Sequence, residues 1–162
     1  MSVHNGLPYL PQAIESVLSQ TFVDFEFLII DDASTDASVA CVRAYADPRI
    51  RLVCNQDNLG QTQSLNRGLE LARGRYIARL DADDMCLPTR LEKQTEVVRK
   101  RPELALLGTW MYSIAPDGRR MALISRAWED RGTYLAWLLM EICPLWHPTV
   151  MFRRDVVTEA GG

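Results

Sequence analysis

Short apolar runs alternate along the chain with longer segments whose apolar residues recur every three or four positions. Residues 25–32 (FEFLIIDD), 49–55 (RIRLVCN) and 75–81 (RYIARLD) are such runs, and each ends in carboxylate or amide groups. Continuous apolar runs of this length are typical of parallel strands buried on both faces. The pattern therefore predicts three strands of one buried sheet.

The periodic segments predict amphipathic helices at 7–20 and 34–46, a loop followed by a helix over 58–74, and a further amphipathic helix at 87–102. One helical face of the first segment collects Leu10, Ile14, Val17 and Leu18. Ser34 or Asp36 is the expected cap of the second helix, and Gly74 is the expected end of the third. Pro88 and Pro102 bracket the fourth.

After Pro102 the pattern changes. Two strands joined by a turn at 115–118 (APDG) are predicted first, followed by a helix over 128–143. A strand over 149–154 and a helix from residue 155 complete the chain. The alternation of strands and helices in the first hundred residues predicts βαβ units and an α/β protein with a parallel sheet.

Polar residues gather at the carboxyl ends of the predicted strands, where ligands bind in such sheets. Asp31 and Asp32 end the first run, and Asp81, Asp83 and Asp84 end the third. Residues two apart on a strand point to the same side, so Asp81 and Asp83 are expected to converge. A pair of carboxylates is a hard oxygen site that suits Mg²⁺ or Mn²⁺.

Two other kinds of acidic metal site fit this sequence less well. In an EF-hand loop that began at Asp81, Cys86 would stand where glycine is required, and Pro88 would interrupt the loop. The run LIIDD is also similar to the strand ends of response regulators and some phosphohydrolases. Those sites need a strand-end phosphoacceptor and a later lysine in a matching context, where this chain carries D-A-D-D.

Composition narrows the class of protein. The chain has 162 residues, 48% of them hydrophobic, and a net charge of −3, which argues against binding a nucleic-acid backbone. The cysteines form no C-x-x-C pair and are interpreted as reduced thiols of a cytoplasmic protein. The apolar segment 134–146 is too short to span a bilayer, and predicts a buried helix followed by a loop. Peripheral membrane association stays open.

The motifs H-N-G, Q-T-F-x-D-F-E, D-D-x-S-T-D, N-x-G, L-N-x-G, G-x-Y-I-A-x-L-D-x-D-D and P-x-R-L follow one another in order. Together they resemble family 2 glycosyltransferases of the GT-A fold over nearly the whole chain. The resemblance implies a Rossmann-like, three-layer α/β/α sandwich with a mostly parallel mixed sheet. It also implies inverting transfer of a sugar from a UDP- or GDP-linked donor to a glycan or lipid-linked acceptor in polysaccharide biosynthesis, with Mn²⁺ or Mg²⁺ as cofactor. The cytoplasmic face of the membrane is the expected location.

The same resemblance implies roles for matching positions. Nucleotide-sugar contacts are expected from Ser2, His4, Asn5, Asp32, Ser34, Asn58, Asp81, Ala82, Asp83 and Arg90. Asp32 is expected to bind the base, and Asp81 the ribose or sugar. Asp83 is expected to be the chief metal ligand, with Asp81 as a second. His147 is expected on the acceptor side.

Each of these positions also has a structural interpretation. Turn and cap roles are the less favoured alternative for Asp32, Ser34 and Asp36, whereas a simple turn explains Asn58 with Gly60 as well as a substrate contact does. The structural alternatives are an ion pair with the acids for Arg90 and a packed ring for His147. Trp110 is expected in the core in preference to a role as a platform for a sugar.

Both ends depart from the family pattern. Family members usually carry apolar residues before S-V-H-N-G that form the central first strand, and Met1 stands where that strand should finish. A largely missing first strand and a marginal stability are therefore expected. The catalytic base of the family follows the A-G-G region, so it is expected beyond Gly162.

The chain is thus interpreted as one incomplete domain, with a donor-binding part at 1–101 and the start of an acceptor-side part at 102–162. The alternative is a catalytically incompetent remnant that binds only nucleotide or a protein partner. A nucleotidyltransferase would need a Gly-rich, Arg-bearing loop near the N-terminus, which residues 2–11 lack.

Overall fold

The computed structural model describes residues 1–124 and 145–161. The strands in that part of the chain are β1 (Ser2–Val3), β2 (Phe27–Asp31), β3 (Ile50–Cys54), β4 (Tyr76–Ala78), β5 (Leu106–Leu107), β6 (Met111–Ile114), β7 (Arg120–Ile124) and β8 (Met151–Arg153). The helices are α1 (Leu10–Leu18), α2 (Ser38–Arg43), α3 (Gln61–Leu71), α4 (Arg90–Lys100), a 3-10 turn (His147–Thr149) and α5 (Arg154–Glu159). The helix predicted at 128–143 and most of the apolar segment 134–146 lie outside the described residues.

The first sheet has the order β1-β2-β3, with both pairs parallel. Phe27, Ile29 and Ile30 of β2 are buried, as the continuous apolar run predicted. Helix α3 packs against β1 and β2. The parallel βαβ arrangement is therefore confirmed, and it brings the carboxyl ends of three strands to one edge.

The second sheet has the order β4-β8-β5, and β8 runs antiparallel to both neighbours. Strand directions are mixed, as expected, but the described residues form two three-stranded sheets where one continuous sheet was predicted. Strand β1 confirms the short first strand, since it pairs with β2 only through Ser2 and Val3. Between β2 and β4 lies a cavity of about 1270 Å³, whose walls include Leu28 and Ile77. Strands β2 and β4 are therefore not hydrogen-bonded to each other, and the two sheets are separate here.

Helix ends differ from the predictions in detail. Helix α3 ends at Leu71, and Ala72 is already extended, so the helix stops before Gly74. Helix α2 is preceded by Ala37, which has no capping side chain, although Asp36 Oδ1 accepts a hydrogen bond from Ser38 N at 2.9 Å. Asp36 thus satisfies an N–H of the first turn from one position further out.

The core is divided between the two sheets. One cluster of buried side chains consists of Val3, Leu10, Ile14, Val17, Phe27, Ile29, Val42 and Leu80. The second contains Leu91, Val98 and Met151. Among the described helices, none is long and apolar enough to cross a bilayer.

The predicted hairpin is present as β6 and β7, which pair in antiparallel fashion. Its turn closes through a hydrogen bond of 2.8 Å from Gly118 N to Ala115 O. The expectation that Trp110 belongs to the core is wrong, because 59% of its surface is exposed just before β6. Much of the surface of a folded protein is apolar, so a single tryptophan next to a short strand need not be buried.

Candidate functional site

Asp32, directly after β2, fixes the loop that joins β3 to α3 (residues 55–60). Its Oδ1 accepts hydrogen bonds from Asn55 Nδ2 at 2.6 Å and Leu59 N at 2.9 Å. Its Oδ2 accepts one from Gly60 N at 2.8 Å. Asp32 is only 2% exposed. Its carboxylate is therefore a buried acceptor that holds this loop in place, as the alternative of a turn residue predicted.

The pKa of Asp32 reflects two opposing effects. Burial alone raises the pKa, because it disfavours the charged form. The hydrogen bonds from Leu59, Asn55, Ser64 and Gly60 outweigh burial and hold the pKa below its usual value. Asp32 is therefore ionised at neutral pH.

Three elements contribute to one buried polar cluster here. Asn55 Nδ2, which contacts Asp32, also lies 2.8 Å from Ser64 Oγ of α3. Asn55 is 6% exposed, and Ser64 is fully buried. Fully satisfied polar clusters of this kind specify one arrangement of the backbone around them. The cluster ties the carboxyl end of β2 to the start of α3.

Gly60 has a backbone conformation (φ 85°, ψ 161°) that is almost restricted to glycine. We predict that Gly60→Ala lowers the free energy of unfolding by about 1–3 kcal/mol, since any side chain is strained there. Urea denaturation followed by circular dichroism measures the loss.

Gly68→Ala is the matched control for Gly60→Ala. Gly68 lies inside α3, and an added Cβ would meet Ile30 Cγ1 at 3.4 Å, close to ordinary contact. Its effect should stay within about 1 kcal/mol, because alanine is the better helix former. An equal loss of stability in both variants would contradict the strain argument.

The loop after β1 lies against the same edge. His4 Nδ1 lies 2.8 Å from Asp32 O, and Asn58 Nδ2 lies 3.2 Å from the His4 ring nitrogens. Asn58 Oδ1 also accepts a hydrogen bond from Gly60 N at 3.0 Å. The turn with Gly60 that was considered for Asn58 is therefore present, and the same side chain contacts His4; its contact with a nucleotide-sugar stays a prediction.

Asn5 joins the loops that follow β1 and β2. Its backbone has φ 53°, and its N donates to Ser34 Oγ at 2.9 Å. Its Oδ1 accepts hydrogen bonds from Thr35 N at 2.8 Å and Asp36 N at 3.2 Å. Ser2 lies next to this loop in β1, paired with Ile30. The structure thus brings together Ser2, His4, Asn5, Asp32, Ser34 and Asn58 at one edge of the sheet, and their contacts with a nucleotide-sugar stay a prediction.

Asp31 is a candidate that the sequence did not single out from the Asp31–Asp32 pair. It is 3% exposed, and its Oδ2 accepts a hydrogen bond from Ser34 N at 3.1 Å. Its Oδ1 has no partner within residues 1–124 and 145–161. A buried carboxylate oxygen without a donor is costly, which makes this atom a candidate acceptor for an N–H or O–H group.

The acidic segment forms a turn in place of the predicted strand end. Strand β4 ends at Ala78, and Asp84 N lies 3.3 Å from Asp81 O. Strand alternation therefore does not apply to Asp81 and Asp83, and the geometric reason for expecting them to converge was wrong. Asp81 is held by Arg79, with N–O distances of 2.7 and 2.8 Å, and by Gln61 Nε2 at 3.2 Å.

Asp83 and Asp84 give the turn its excess of negative charge. Asp83 is exposed, and Ala82 beside it packs partly against the first core cluster. Burial and the charges of Asp81 and Asp83 raise the pKa of Asp84. A divalent cation fits these residues, since carboxylates are hard oxygen donors and the cation would relieve their repulsion.

Protein side chains alone do not form a complete cage at this turn. Within the described part of the chain, no group of three or more His, Cys, Asp or Glu is placed to hold a metal ion together. A cation here would take its other ligands from water and from a bound phosphate, as Mg²⁺ commonly does. The assignment of Asp83 and Asp81 as metal ligands stays a prediction.

Arg90, at the start of α4, contacts the backbone that leads into the acidic turn. Its Nη2 donates to Arg79 O at 2.8 Å, its Nη1 lies 3.3 Å from Cys86 Sγ, and its Nε donates to Gln94 Oε1 at 3.1 Å. These contacts are to the backbone and to uncharged side chains, not to the carboxylates. The proposed ion pair with the acids is absent from the salt bridges of the described residues, and a contact with donor remains untested.

His147 begins the 3-10 turn before β8 and is exposed. Burial of part of the ring, together with the charge of Arg79, lowers its pKa. The imidazole is therefore neutral at pH 7 and lies within the electrostatic reach of Arg79 and Asp81. Its predicted place on the acceptor side stays a prediction.

Comparison with known proteins decides the family. The family model described as glycosyl transferase family 2 matches residues 1–161. The chain belongs to glycosyltransferase family 2. Among curated proteins, this family 2 chain is 36% identical to EpsE of Bacillus subtilis (strain 168) over 165 residues, which covers 100% of the chain and 58% of EpsE. It is 42% identical to the succinoglycan biosynthesis protein ExoO of Rhizobium meliloti (strain 1021) over 128 residues, or 78% of the chain and 36% of ExoO.

Solved structures confirm the GT-A fold of this family 2 chain. S. aureus TarS residues 1–349 in complex with UDP superposes with a TM-score of 0.77 at 19% identity, covering 98% of this chain and 47% of that one. The mannosyltransferase PcManGT of Pyrobaculum calidifontis, in complex with GDP-Man and Mn²⁺, gives a TM-score of 0.72 at 18% identity, with 99% and 45% covered. The chain thus spans about half the length of the proteins it matches.

Proposed function

We propose that this chain provides the donor site of a glycosyltransferase that transfers a sugar from a nucleotide diphosphate to a glycan or lipid-linked acceptor in polysaccharide biosynthesis. The supporting observation is the cluster of His4, Asn5, Asp31 and Asn58 at the carboxyl edge of the parallel sheet. Gln61, the first residue of α3, joins this cluster to the acidic turn through Asp81. Nucleotides bind at this edge in α/β sheets.

We propose that Asp31 reads the base. Its Oδ1 is a buried acceptor without a donor among residues 1–124 and 145–161, and the N3–H of uracil or the N1–H of guanine would supply one. Asp32, which was predicted for this role, has both carboxylate oxygens engaged by Asn55, Leu59 and Gly60. Its proposed part is to shape the loop beside the base.

The diphosphate is proposed to lie at the acidic turn. Asp83 would bind Mn²⁺ or Mg²⁺, and Asp81 would accept hydrogen bonds from the ribose or the sugar. When bound, the cation neutralises the diphosphate leaving group. The chain's own residues orient the donor: His4 and Asn58 border the nucleotide, and Gln61 with Asp81 bridge to the sugar. The structures of TarS with UDP-GlcNAc and of PcManGT with GDP-Man and Mn²⁺ support both donor and metal.

Acceptor activation is proposed to follow the inverting course, in which a carboxylate takes the proton of the attacking hydroxyl. None of the described residues is assigned that role. His147, whose pKa responds to the charges of Arg79 and Asp81, is proposed to lie on the side of the acceptor or of the leaving diphosphate. Action at the cytoplasmic face of the membrane is part of the same proposal, since lipid-linked acceptors are presented there.

Isothermal titration calorimetry with UDP and GDP, each with and without Mn²⁺, tests the donor site. We expect Mn²⁺-dependent binding of one of the two with a dissociation constant of about 10–100 μM, equivalent to about −6 kcal/mol. Absence of binding to either nucleotide in Mn²⁺ would reject the donor site. Binding without turnover of the matching nucleotide-sugar, in any mixture of acceptors, would favour the alternative of a nucleotide-binding remnant.

A further inference from the structure

Arg79 carries a buried positive charge beside the acidic turn, and the roles proposed above leave it unused. It follows β4, and its side chain is 5% exposed. Its two terminal nitrogens lie 2.8 Å from Asp81 Oδ2 and 2.7 Å from Asp81 Oδ1. The pair is therefore bidentate, the geometry in which a guanidinium holds a carboxylate most firmly.

Both oxygens of Asp81 are occupied in this arrangement. Oδ1 also receives Gln61 Nε2 at 3.2 Å, so the carboxylate is held from β4 and from α3 at the same time. These three donors leave Asp81 room for a hydroxyl group, but a divalent cation bound to either oxygen would lie close to the guanidinium, and the repulsion between the two positive charges opposes its binding. Exposed Asp83 meets no such obstacle.

The backbone of Arg79 is fixed independently of its side chain. Its N donates to Val150 O at 2.9 Å, and its O accepts from Arg90 Nη2 at 2.8 Å. The guanidinium therefore starts from a rigid base, although its Nε has no partner in the described residues. Arg79 is buried, leaves one donor unsatisfied and forms its ion pair with one carboxylate. Stability alone explains such an arrangement poorly, because burying the charge is costly.

We propose that Arg79 is a positioning residue that holds Asp81 for the hydroxyl groups of the donor and keeps it out of the coordination shell of the metal. The metal then has Asp83 as its carboxylate ligand from this pair. This inference rests on the proposed function for the donor, but it makes a prediction about the cation that needs no donor.

Titration with Mn²⁺ alone, followed by the electron paramagnetic resonance signal of the free ion, tests the proposal. Arg79→Met releases Asp81 and removes one positive charge, so Mn²⁺ should bind about three- to tenfold more tightly than in wild type. Adding Asp81→Asn to Arg79→Met should return the affinity to within about twofold of wild type, whereas Asp81→Asn by itself leaves the Arg79 charge uncompensated and should weaken Mn²⁺ binding. A purely structural role of Arg79 would not produce this cycle.

Arg79→Lys separates charge from geometry. Lysine keeps the positive charge, but it cannot make the bidentate contact. The affinity of the Arg79→Lys variant for Mn²⁺ alone should therefore stay within about twofold of wild type. Its affinity for UDP or GDP in saturating Mn²⁺ should fall about tenfold, because Asp81 loses its fixed orientation. Thermal unfolding by circular dichroism shows whether each variant is folded. If Arg79→Met does not fold, nucleotide binding by Arg79→Lys still tests the proposal.

Equal Mn²⁺ affinity in wild type and Arg79→Met, including no binding by either, would overturn the proposal. So would tighter binding that persists in the double variant Arg79→Met/Asp81→Asn. A difference in Mn²⁺ affinity without nucleotide binding by wild type would instead uphold the role of Arg79 in metal access and reject the proposed donor site. The two failures are thus distinguishable.

Discussion

Replacing Asp83 with alanine is expected to weaken Mn²⁺-dependent binding of UDP or GDP about 100-fold, because it removes the exposed carboxylate that would join the metal to the chain. Asp83 lies at the tip of the turn, and its side chain is exposed. The substitution should therefore leave the fold intact. Calorimetry at fixed Mn²⁺ measures the loss, and circular dichroism verifies that the variant is folded.

Asp117→Ala is the matched control for Asp83→Ala. Asp117 is an exposed aspartate in the turn between β6 and β7, so its replacement changes the net charge by the same amount. Nucleotide affinity should stay within about twofold of wild type, since exposed charges at a distance are screened by salt. A similar loss in both variants would show that net charge, and not metal ligation, governs binding.

Replacing Asp32 with asparagine is expected to lower the free energy of unfolding by about 3 kcal/mol at pH 7. The new side chain has almost the same shape, but one acceptor oxygen becomes an NH₂ donor. That donor would face Gly60 N or the Asn55 amide, which now donate to Asp32. Burial at 2% exposure leaves no water to compensate.

The stability that Asp32 provides should depend on pH in a defined direction. Its pKa is held below the usual value in the folded protein, whereas the unfolded chain has the ordinary value of about 3.9. The contribution is therefore fully present above about pH 4, and it is lost as the pH falls through the folded-state pKa. The difference in unfolding free energy between wild type and Asp32→Asn should shrink in that acid window.

Urea denaturation of both proteins at pH 7 and near pH 3 measures this effect. Asp57→Asn is the control, since Asp57 is an exposed aspartate of the same loop. It should change the unfolding free energy by less than about 0.5 kcal/mol at either pH. A difference for Asp32→Asn that is equally large at both pH values would contradict the ionised carboxylate as its cause.

Much of the fold follows from local patterns that tertiary structure reinforces. The apolar run at Phe27–Asp31 was predictable because a strand buried on both faces needs apolar residues on both. The gathering of the Asp32 and Asn58 loops was predictable because parallel strands end at one edge. In both cases the pattern of the sequence and the geometry of a parallel sheet require the same positions for these residues. The sequence alone therefore predicts where they lie.

The remainder depends on contacts between distant residues. A pattern of D-x-D does not reveal that the chain turns after Ala78, since the turn is set by the hydrogen bond from Asp84 N to Asp81 O. Nor does it reveal that Arg79 is buried against Asp81, because an arginine near aspartates is equally consistent with a solvated loop. The unsatisfied oxygen of Asp31 emerges only when its neighbours are placed around it.

The buried cluster of Asp32, Asn55 and Ser64 also constrains how this protein can change over evolutionary time. Each member satisfies a polar atom of another, and the cluster joins the residue after β2, the loop after β3 and α3. A lone substitution would leave a partner unpaired inside the protein, so the three positions should vary together or stay fixed. Among homologous sequences, an exchange at Asp32 is expected to coincide with one at Asn55.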